Sequence, residues 1–381
     1  MESVLTKVTL QTAILKDLVA KAVKGSTMNP VIPLSCFMQV KVQDGVLYIR
    51  TTDNINFVTT KKEVENTPNF EIVVESKQFS AIISKLSSEY TSLIMDGNAL
   101  VIEAGNGKFN MALSVDSDGS NIKFPEPEFT PIGGSKLITP TEMKAILSYN
   151  KVNKADSREM PAIFNYYVDN ECVISTNKTK ACASAISFTE QPACIPPNLM
   201  DLLPTVMDES GITIQENEDS ILASSTIGTV YGKKCLPADV EVFPAAGAKS
   251  LFSQNATVEV SVPKQDLLNV LDRMLLFVDT LQYFRVDVTF TKDTLKIYDV
   301  NSKSMETIQL LPNELEEFEP ITLPLDAKEF YSQVSTIVPA VVTIGVTANF
   351  GIRMNVPKSQ DQGVDIKMML AQVVVNTPVQ G

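Results

Sequence analysis

Three six-residue windows of this chain fill the same frame, an apolar residue at each end with polar or proline positions between. They are Val74-Glu75-Ser76-Lys77-Gln78-Phe79, Ile195-Pro196-Pro197-Asn198-Leu199-Met200 and Leu325-Asp326-Ala327-Lys328-Glu329-Phe330. Their starts at 74, 195 and 325 lie 121 and 130 residues apart, a period of whole domains and too long for a solenoid repeat. The prolines of the middle copy suit the first positions of a helix, where a missing N–H costs nothing. About 56 to 64 residues before each window runs a second helix-like stretch, at 10–24, 139–154 and 262–277.

Short alternating runs follow each helix, such as Val40-Lys41-Val42, Leu47-Tyr48-Ile49-Arg50 and Leu100-Val101-Ile102. They are broken by Asp44-Gly45, Gly97-Asn98 and Asn106-Gly107, which are hairpin turn signals. The expected fold is α+β: three repeated domains, each with two helices packed on antiparallel sheets. The length of 381 residues fits three cores better than one. Phe124-Pro125-Glu126-Pro127-Glu128-Phe129-Thr130-Pro131 reads as the first linker, and the small-residue run 244–255 as the second. The expected domains are 1–128, 129–254 and 255–381, with strands at 163–188 in the second.

The residue types exclude most chemistry. The chain has no histidine, which removes the commonest general base and transition-metal ligand. Its five cysteines, Cys36, Cys172, Cys182, Cys194 and Cys235, form no C-x-x-C pair and read as buried free thiols. The acidic run 313–320 lacks calcium-loop spacing and reads as a solvated loop, and Gly105-Asn106-Gly107-Lys108 is a hairpin turn without phosphate-loop spacing. The expectation is no enzyme, no cofactor and no metal. No apolar run is long enough for a membrane span, and the N-terminus lacks a signal-peptide pattern, so the expected place is the cytoplasm.

Net charge is −13, from 32 basic and 45 acidic residues, which argues against a protein that coats nucleic acid. The six helical runs together are nearly neutral, leaving the excess acid in strands and loops. In the first helix Lys16, Lys21 and Lys24 share one arc, opposite Ile14, Leu15, Leu18, Val19, Ala22 and Val23. Such an arc is either a plain solvated face or a face presented to phosphates.

The order of several segments resembles one family. Asn29-Pro30-Val31-Ile32-Pro33-Leu34, Val42-Gln43-Asp44-Gly45-Val46-Leu47-Tyr48-Ile49, Thr51-Thr52-Asp53, Val73-Val74-Glu75-Ser76-Lys77-Gln78-Phe79, Phe109-Asn110-Met111 and Phe124-Pro125 follow the pattern of the bacterial-type DNA polymerase sliding clamps, the beta subunits of replicative DNA polymerase III. The likeness is clearest in the first domain. It implies a homodimeric ring around duplex DNA, bound without regard to base sequence, which tethers the polymerase and is opened by a clamp loader. The DNA-facing residues it implies are Lys16, Lys21, Lys24, Lys77, Lys85, Lys144, Lys151, Lys154, Arg158, Lys264 and Arg273. The dimer contacts it implies are Phe109 and Met111 on an edge strand, and Leu276 and Phe277 at the end of a helix.

The resemblance further implies a partner-peptide pocket at Thr176, Lys178, Thr179, Lys180, Ala181, Pro237, Val242, Phe350, Gly351, Ile366 and Met368. Departures from the family pattern stand beside it: Asn29 replaces a basic residue, Thr176-Asn177-Lys178-Thr179-Lys180-Ala181 replaces a T-D-G-H-R-L-like run, and residues 371–381 extend beyond the usual end. Phe350 is bulkier than the aliphatic residue usual at its position, which favours a partner motif with smaller side chains. A phage-encoded or divergent member fits these departures. Val373-Val374-Val375 is apolar and close enough to fill the pocket in the free protein, or else belongs to a loose or edge-pairing tail. The alternative function is a non-enzymatic structural or interaction protein of three repeated domains without DNA binding.

Overall fold

A computed structural model of the chain describes residues 6–65, 67–116, 119–120, 122–156, 160–278, 284–299, 301–347 and 350–373. The chain divides into two compact units, Met1–Pro140 with Asn198–Lys234, and Thr141–Pro197 with Cys235–Gly381. Residues 129–254 therefore contribute to both. Each unit holds one four-stranded and one eight-stranded sheet, and the fold is sheet-dominated α+β.

In the first unit the small sheet runs Lys7–Gln11, Tyr90–Asp96, Ala99–Ala104, Gly107–Ala112. The large sheet joins two sets of four. Phe70–Glu75, Phe37–Gln43, Val46–Thr52 and Phe57–Glu63 form one, and Gly228–Lys233, Ser220–Ser224, Ile212–Glu216 and Lys136–Ile138 the other. They meet in an antiparallel pairing with Thr60 opposite Gly228 and Phe57 opposite Tyr231. The Asp44-Gly45 turn has both residues at positive φ, 50° and 76°, which matches the twist of a two-residue hairpin and fixes Gln43 opposite Val46. Alternation then turns Leu47 and Ile49 to the core and leaves Tyr48 and Arg50 on the other face. Helices Thr12–Ala22 and Ser76–Lys85 pack together and send Leu15, Leu18, Val19, Phe79 and Ile83 into that core.

The second unit repeats the plan. Its small sheet runs Met305–Gln309, Thr294–Tyr298, Arg285–Phe290, Ile321–Asp326. Its large sheet joins Ala193–Ile195, Tyr166–Val168, Val173–Thr176 and Lys180–Ser184 to Ile366–Ala371, Gly351–Val356, Val341–Thr347 and Val258–Pro263. Cys182 lies opposite Met368 at this join. Helices Lys264–Met274 and Ala327–Thr336 pair with each other, and Asp326 caps the latter through Glu329 N at 2.9 Å.

One turn recurs three times at the end of equivalent strands. Asp53 Oδ1 accepts from the amides of Ile55 and Asn56 (2.9 and 2.6 Å), and Asn177 Oδ1 from those of Thr179 and Lys180 (3.0 and 2.9 Å). Asp299 accepts from Asn301 N at 3.3 Å and Ser302 N at 2.8 Å. A short acceptor side chain satisfying the next two or three amides is the reason Asp or Asn stands at each position.

Three expectations from sequence are corrected. The run 244–255 is no linker, because Ala245–Ser253 is a helix whose Ala245, Ala248 and Phe252 recur at helical spacing and are buried. Alanine is the best helix former, so a small-residue composition was a helix signal here. The strands expected over 163–188 start later, since Pro161–Phe164 is a short helix. The helix expected over 139–154 is interrupted, with Pro140–Ala145 followed by a π-helical turn at Ile146–Asn150 and then Lys151–Asn153. That widened turn buries the consecutive residues Tyr149 and Asn150. Tyr149 Oη donates to Gln362 Oε1 (2.9 Å) and Asn150 Nδ2 to the Val173 carbonyl (3.0 Å). The first linker has no regular element, yet it is tied down. Glu126 Oε1 sits 3.3 Å from both Lys41 Nζ and Arg50 Nη1, and Phe129 packs edge-on to Tyr231 at 6.3 Å.

A side chain added at Gly228 would meet the Thr59 carbonyl oxygen at 2.2 Å, inside the strand join of the first unit. Gly228→Ala is expected to cost about 2–4 kcal/mol in urea unfolding. Gly247→Ala meets nothing within 4 Å and is expected to add about 0.5–1 kcal/mol in the same measurement.

Candidate functional site

A cavity of about 300 Å³ opens in the second unit. Ala181, Ala248, Leu251, Phe252, Phe350 and Met369 give it an apolar lining, and Thr176, Lys178, Thr179 and Lys180 form a polar lip. The lip is preorganised. Thr176 Oγ1 donates to the Lys180 carbonyl (2.8 Å), and Lys178 takes a positive φ of 80°. Lys180 is buried and forms an ion pair with Glu329, while its Nζ also reaches Ser332 Oγ at 3.1 Å. Its charge is therefore neutralised inside the wall, and exposed Lys178 carries the lip's positive charge. Behind the cavity, buried Gln333 Nε2 donates to the Met369 carbonyl at 3.0 Å.

The opposite wall is helix Ala245–Ser253, and Lys249 moors it. Lys249 Nζ lies 2.7 Å from Asp169 Oδ2 and 2.7 Å from Glu171 Oε2. Burial opposes the charge on Asp169, but the Lys249 ammonium and the amides of Glu171 and Cys172 outweigh it and hold the carboxyl below its usual range. The same carboxylates raise the Lys249 ammonium above its usual value, again against desolvation. Burial pushes the thiols of Cys172, Cys194 and Cys235 up to about 12, so at neutral pH they are protonated and inert. Among the described residues no group of His, Cys, Asp or Glu is placed to hold a metal ion, and no helix is long and apolar enough to cross a membrane.

Each unit also ends in a bare strand. Among the described residues Gly107–Ala112 pairs only with Ala99–Ala104, and Met305–Gln309 only with Thr294–Tyr298. Apolar side chains stand beside both edges: Phe109 is 40% exposed, Met305 60%, Leu276 80% and Phe277 55%. A bare edge with exposed apolar groups is a template for another strand.

The family model of the DNA polymerase III beta subunit, N-terminal domain, matches residues 6–118. Solved structures share the architecture over nearly the whole chain. The beta subunit from Thermotoga maritima superposes with a TM-score of 0.79 at 16% identity, covering 97% of this chain and 99% of that one. The sliding clamp of Bacillus subtilis gives 0.79 at 16% with the same coverage, and the beta subunit of Streptococcus pyogenes 0.80 at 12%, covering 97% and 100%. This chain has the beta-subunit fold. Comparison with curated proteins gives no match.

Within the beta-subunit fold the expected site residues fall unevenly. Of the pocket set, Thr176, Lys178, Thr179, Lys180, Ala181 and Phe350 line the cavity. Met368 and Ile366 do not, because neighbouring residues of a strand face opposite ways and it is Met369 that points into the cavity. Gly351 is held at φ 150° against the Leu370 carbonyl, and exposed Pro237 and Val242 lie on the short helix before the lining helix. Pro244, Gly247, Ala248, Leu251, Phe252 and Met369 were not foreseen. The i, i+3, i+7 spacing of Ala245, Ala248 and Phe252 was the available signal.

Of the basic set, Lys24, Lys77, Lys85, Lys144 and Lys151 are exposed and Lys16 is half-buried. Lys21 pairs with Asp17 at 2.6 Å. Three others are engaged within their own unit. Lys154 donates to the Ala155 carbonyl (3.0 Å) and lies 4.5 Å from the Phe164 ring. Lys264 donates to the Ile337 carbonyl at the end of the neighbouring helix, and Arg273 is bound bidentately by Glu306. Arg158 and the tail residues Val374 and Val375 lie outside the described residues. Val373 donates to the Pro324 carbonyl at 2.8 Å. Met111 is 1% exposed and part of the first unit's core, so it offers no side chain to a partner.

The Lys249 mooring has a pH signature. Because the folded pKa of Asp169 is depressed, its contribution is complete above the unfolded value of about 3.9 and is lost as pH falls through the folded value. Asp169→Asn is expected to lower stability by about 1–3 kcal/mol at neutral pH. Urea titrations of both proteins should show that gap constant down to about pH 5 and closing below about pH 4.

Proposed function

We propose that the chain is a DNA sliding clamp, a non-enzymatic replication processivity factor. Two copies join head to tail into a ring around duplex DNA and tether the polymerase through the cavity of the second unit. In this reading three domains, 1–128, 129–254 and 255–381, supply six lining helices per copy. A clamp loader opens the ring, and the protein works in the cytoplasm.

The sheet edges carry the proposal. Strand Phe57–Glu63 ends one set of four and pairs with Gly228–Lys233, and Lys180–Ser184 ends a second set and pairs with Ile366–Ala371. Met305–Gln309 ends a third set in the same way, and Gly107–Ala112 is the matching partner strand. Among the described residues one chain makes two of these joins and leaves both halves of the third unpaired, so a second copy supplies it. The recurring turn fixes the register. Val58, Cys182 and Glu306 lie opposite Thr51, Ser175 and Ile297, each two residues before the turn's Asp or Asn. At the two existing joins Val58 faces Val230 and Cys182 faces Met368, each the third residue of its strand. The third residue of Gly107–Ala112 is Phe109, so Glu306 faces Phe109 of the second copy.

The ring reading also gives the exposed lysines a role. They meet phosphates without reading bases, and the acidic remainder of the surface repels DNA from the wrong face. Sedimentation at micromolar concentration is expected to give a dimer of the 41.7 kDa chain, and Phe277→Asp a monomer, since a charge stranded in an apolar contact costs several kcal/mol. A monomer for the unaltered protein would sink the dimer.

Retention on DNA tests the ring itself. Loaded protein is expected to stay on closed circular DNA at a salt concentration that strips it from linear DNA, because a topological link does not depend on ion pairs. Equal loss from both would end the reading. Gly247→Leu places a side chain in the cavity without backbone strain. It is expected to weaken polymerase-peptide binding about tenfold or more in fluorescence anisotropy while leaving DNA retention intact.

A further inference from the structure

The two joined sheets carry counterpart clefts on the face away from the packed helices. In the first unit Lys61 N donates to the Ile227 carbonyl at 2.8 Å, and in the second Ala185 N donates to the Asp365 carbonyl at 2.9 Å, closing each join at the same place. Tyr48 stands three residues before Thr51 and Cys172 three before Ser175, so each cleft borders the same two strands. Cys172, Ala185 and Asp365 line a cavity of about 270 Å³ in the second unit, and Tyr48, Lys61 and Ile227 one of about 500 Å³ in the first.

Their occupants differ. The second unit fills one side of its cleft with its own chain: Lys249, Phe252 and Ser253 of the moored helix form that wall, with Lys249 gripped by Asp169 and Glu171. Among its described residues the first unit has no such helix, and lysines border its cleft, with Lys61 and Lys62 beside Tyr48, Glu63 and Thr226. The socket of the second unit is balanced, Glu171 and Asp365 against Lys249 and Lys367, whereas that of the first sets two lysines against one glutamate. The same face already holds one guest of known chemistry, the chain's own segment Phe124-Pro125-Glu126-Pro127-Glu128-Phe129. Glu126 sits between Lys41 and Arg50, and Phe129 packs on Tyr231. Arg50 lies two residues along the strand from Tyr48, so the open cleft continues the groove in which that carboxylate is bound.

We propose that the cleft of Tyr48, Lys61, Lys62 and Thr226 docks an extended acidic segment of a partner protein, at a surface separate from the cavity of the second unit. A carboxylate pairs with Lys61, which shares the Tyr48 face of the sheet with Lys41 and Arg50, while Lys62 borders the cleft and adds to its positive charge, and an apolar or aromatic side chain of the segment covers Tyr48 and Ile227. Nucleic acid fits less well. A backbone track needs a run of cations, whereas this cleft offers two lysines beside Glu63 in a chain of net charge −13. The inference stands apart from the ring and does not need it.

The probe is a fluorescent hexapeptide, Phe-Pro-Glu-Pro-Glu-Phe, with a benzophenone photocrosslinker on its last ring, used with the full-length protein. Crosslinks are expected within residues 46–63 or at 226–227. Lys61→Glu with Lys62→Glu is expected to lower affinity about tenfold or more, and the milder Lys61→Gln with Lys62→Gln to lower it in the same direction. Gly247→Leu should leave it unchanged. Crosslinks confined to 244–252, or to residues 41, 50 and 231 by exchange with the linker, overturn the proposal. So does equal binding by unaltered and substituted proteins, or displacement of the peptide by a single-stranded oligonucleotide that binds more tightly.

Discussion

A strand edge exposes a row of amide and carbonyl groups that water satisfies less well than another strand does, and the rest of this structure follows from where such edges are closed. Each large sheet exists because two sets of four strands, distant in sequence, close each other's edge. Helices then cover one face of the joined sheet, and the opposite face is left to connectors and clefts. The terminal strands Gly107–Ala112 and Met305–Gln309 carry exposed apolar side chains, Phe109 on the one and Met305 on the other.

The connectors show how similar joins acquire different surfaces. In the first unit residues 124–131 lie extended across the sheet, fastened by the carboxylate of Glu126 and the ring of Phe129. In the second unit the helix Ala245–Ser253 lies there instead, with Ala245 and Ala248 buried and Lys249 held by two carboxylates. The helix makes an apolar cavity, and the extended strap leaves a polar cleft. The turn Thr176–Lys180, locked by Asn177 and by the Lys180–Glu329 pair, completes the cavity from the other side.

Much of this was legible from the chain itself. Hydrophobic alternation and Asp-Gly or Asn-Gly turns placed the hairpins, because those signals act over a few residues. The threefold frame around Phe79, Met200 and Phe330 announced repeated helices, and the missing histidine removed whole classes of chemistry. Six of the residues that line the cavity are among those the family pattern implied. The others were lost for local reasons: Met369 was missed by one residue of strand parity, and Gly247 to Phe252 because a small-residue run was read as a connector.

What the sequence determined by itself was therefore the element types, the repeat and the kind of chemistry available. The tertiary structure decided which strands meet across gaps of more than a hundred residues, since pairings such as Thr60 with Gly228 or Cys182 with Met368 depend on complementary edges that no local window contains. It also decided which lysines remain for solvent. Lys24 and Lys264 look alike in sequence, but Lys264 spends its charge on the carbonyl end of a neighbouring helix, a contact that exists only once the two helices pack.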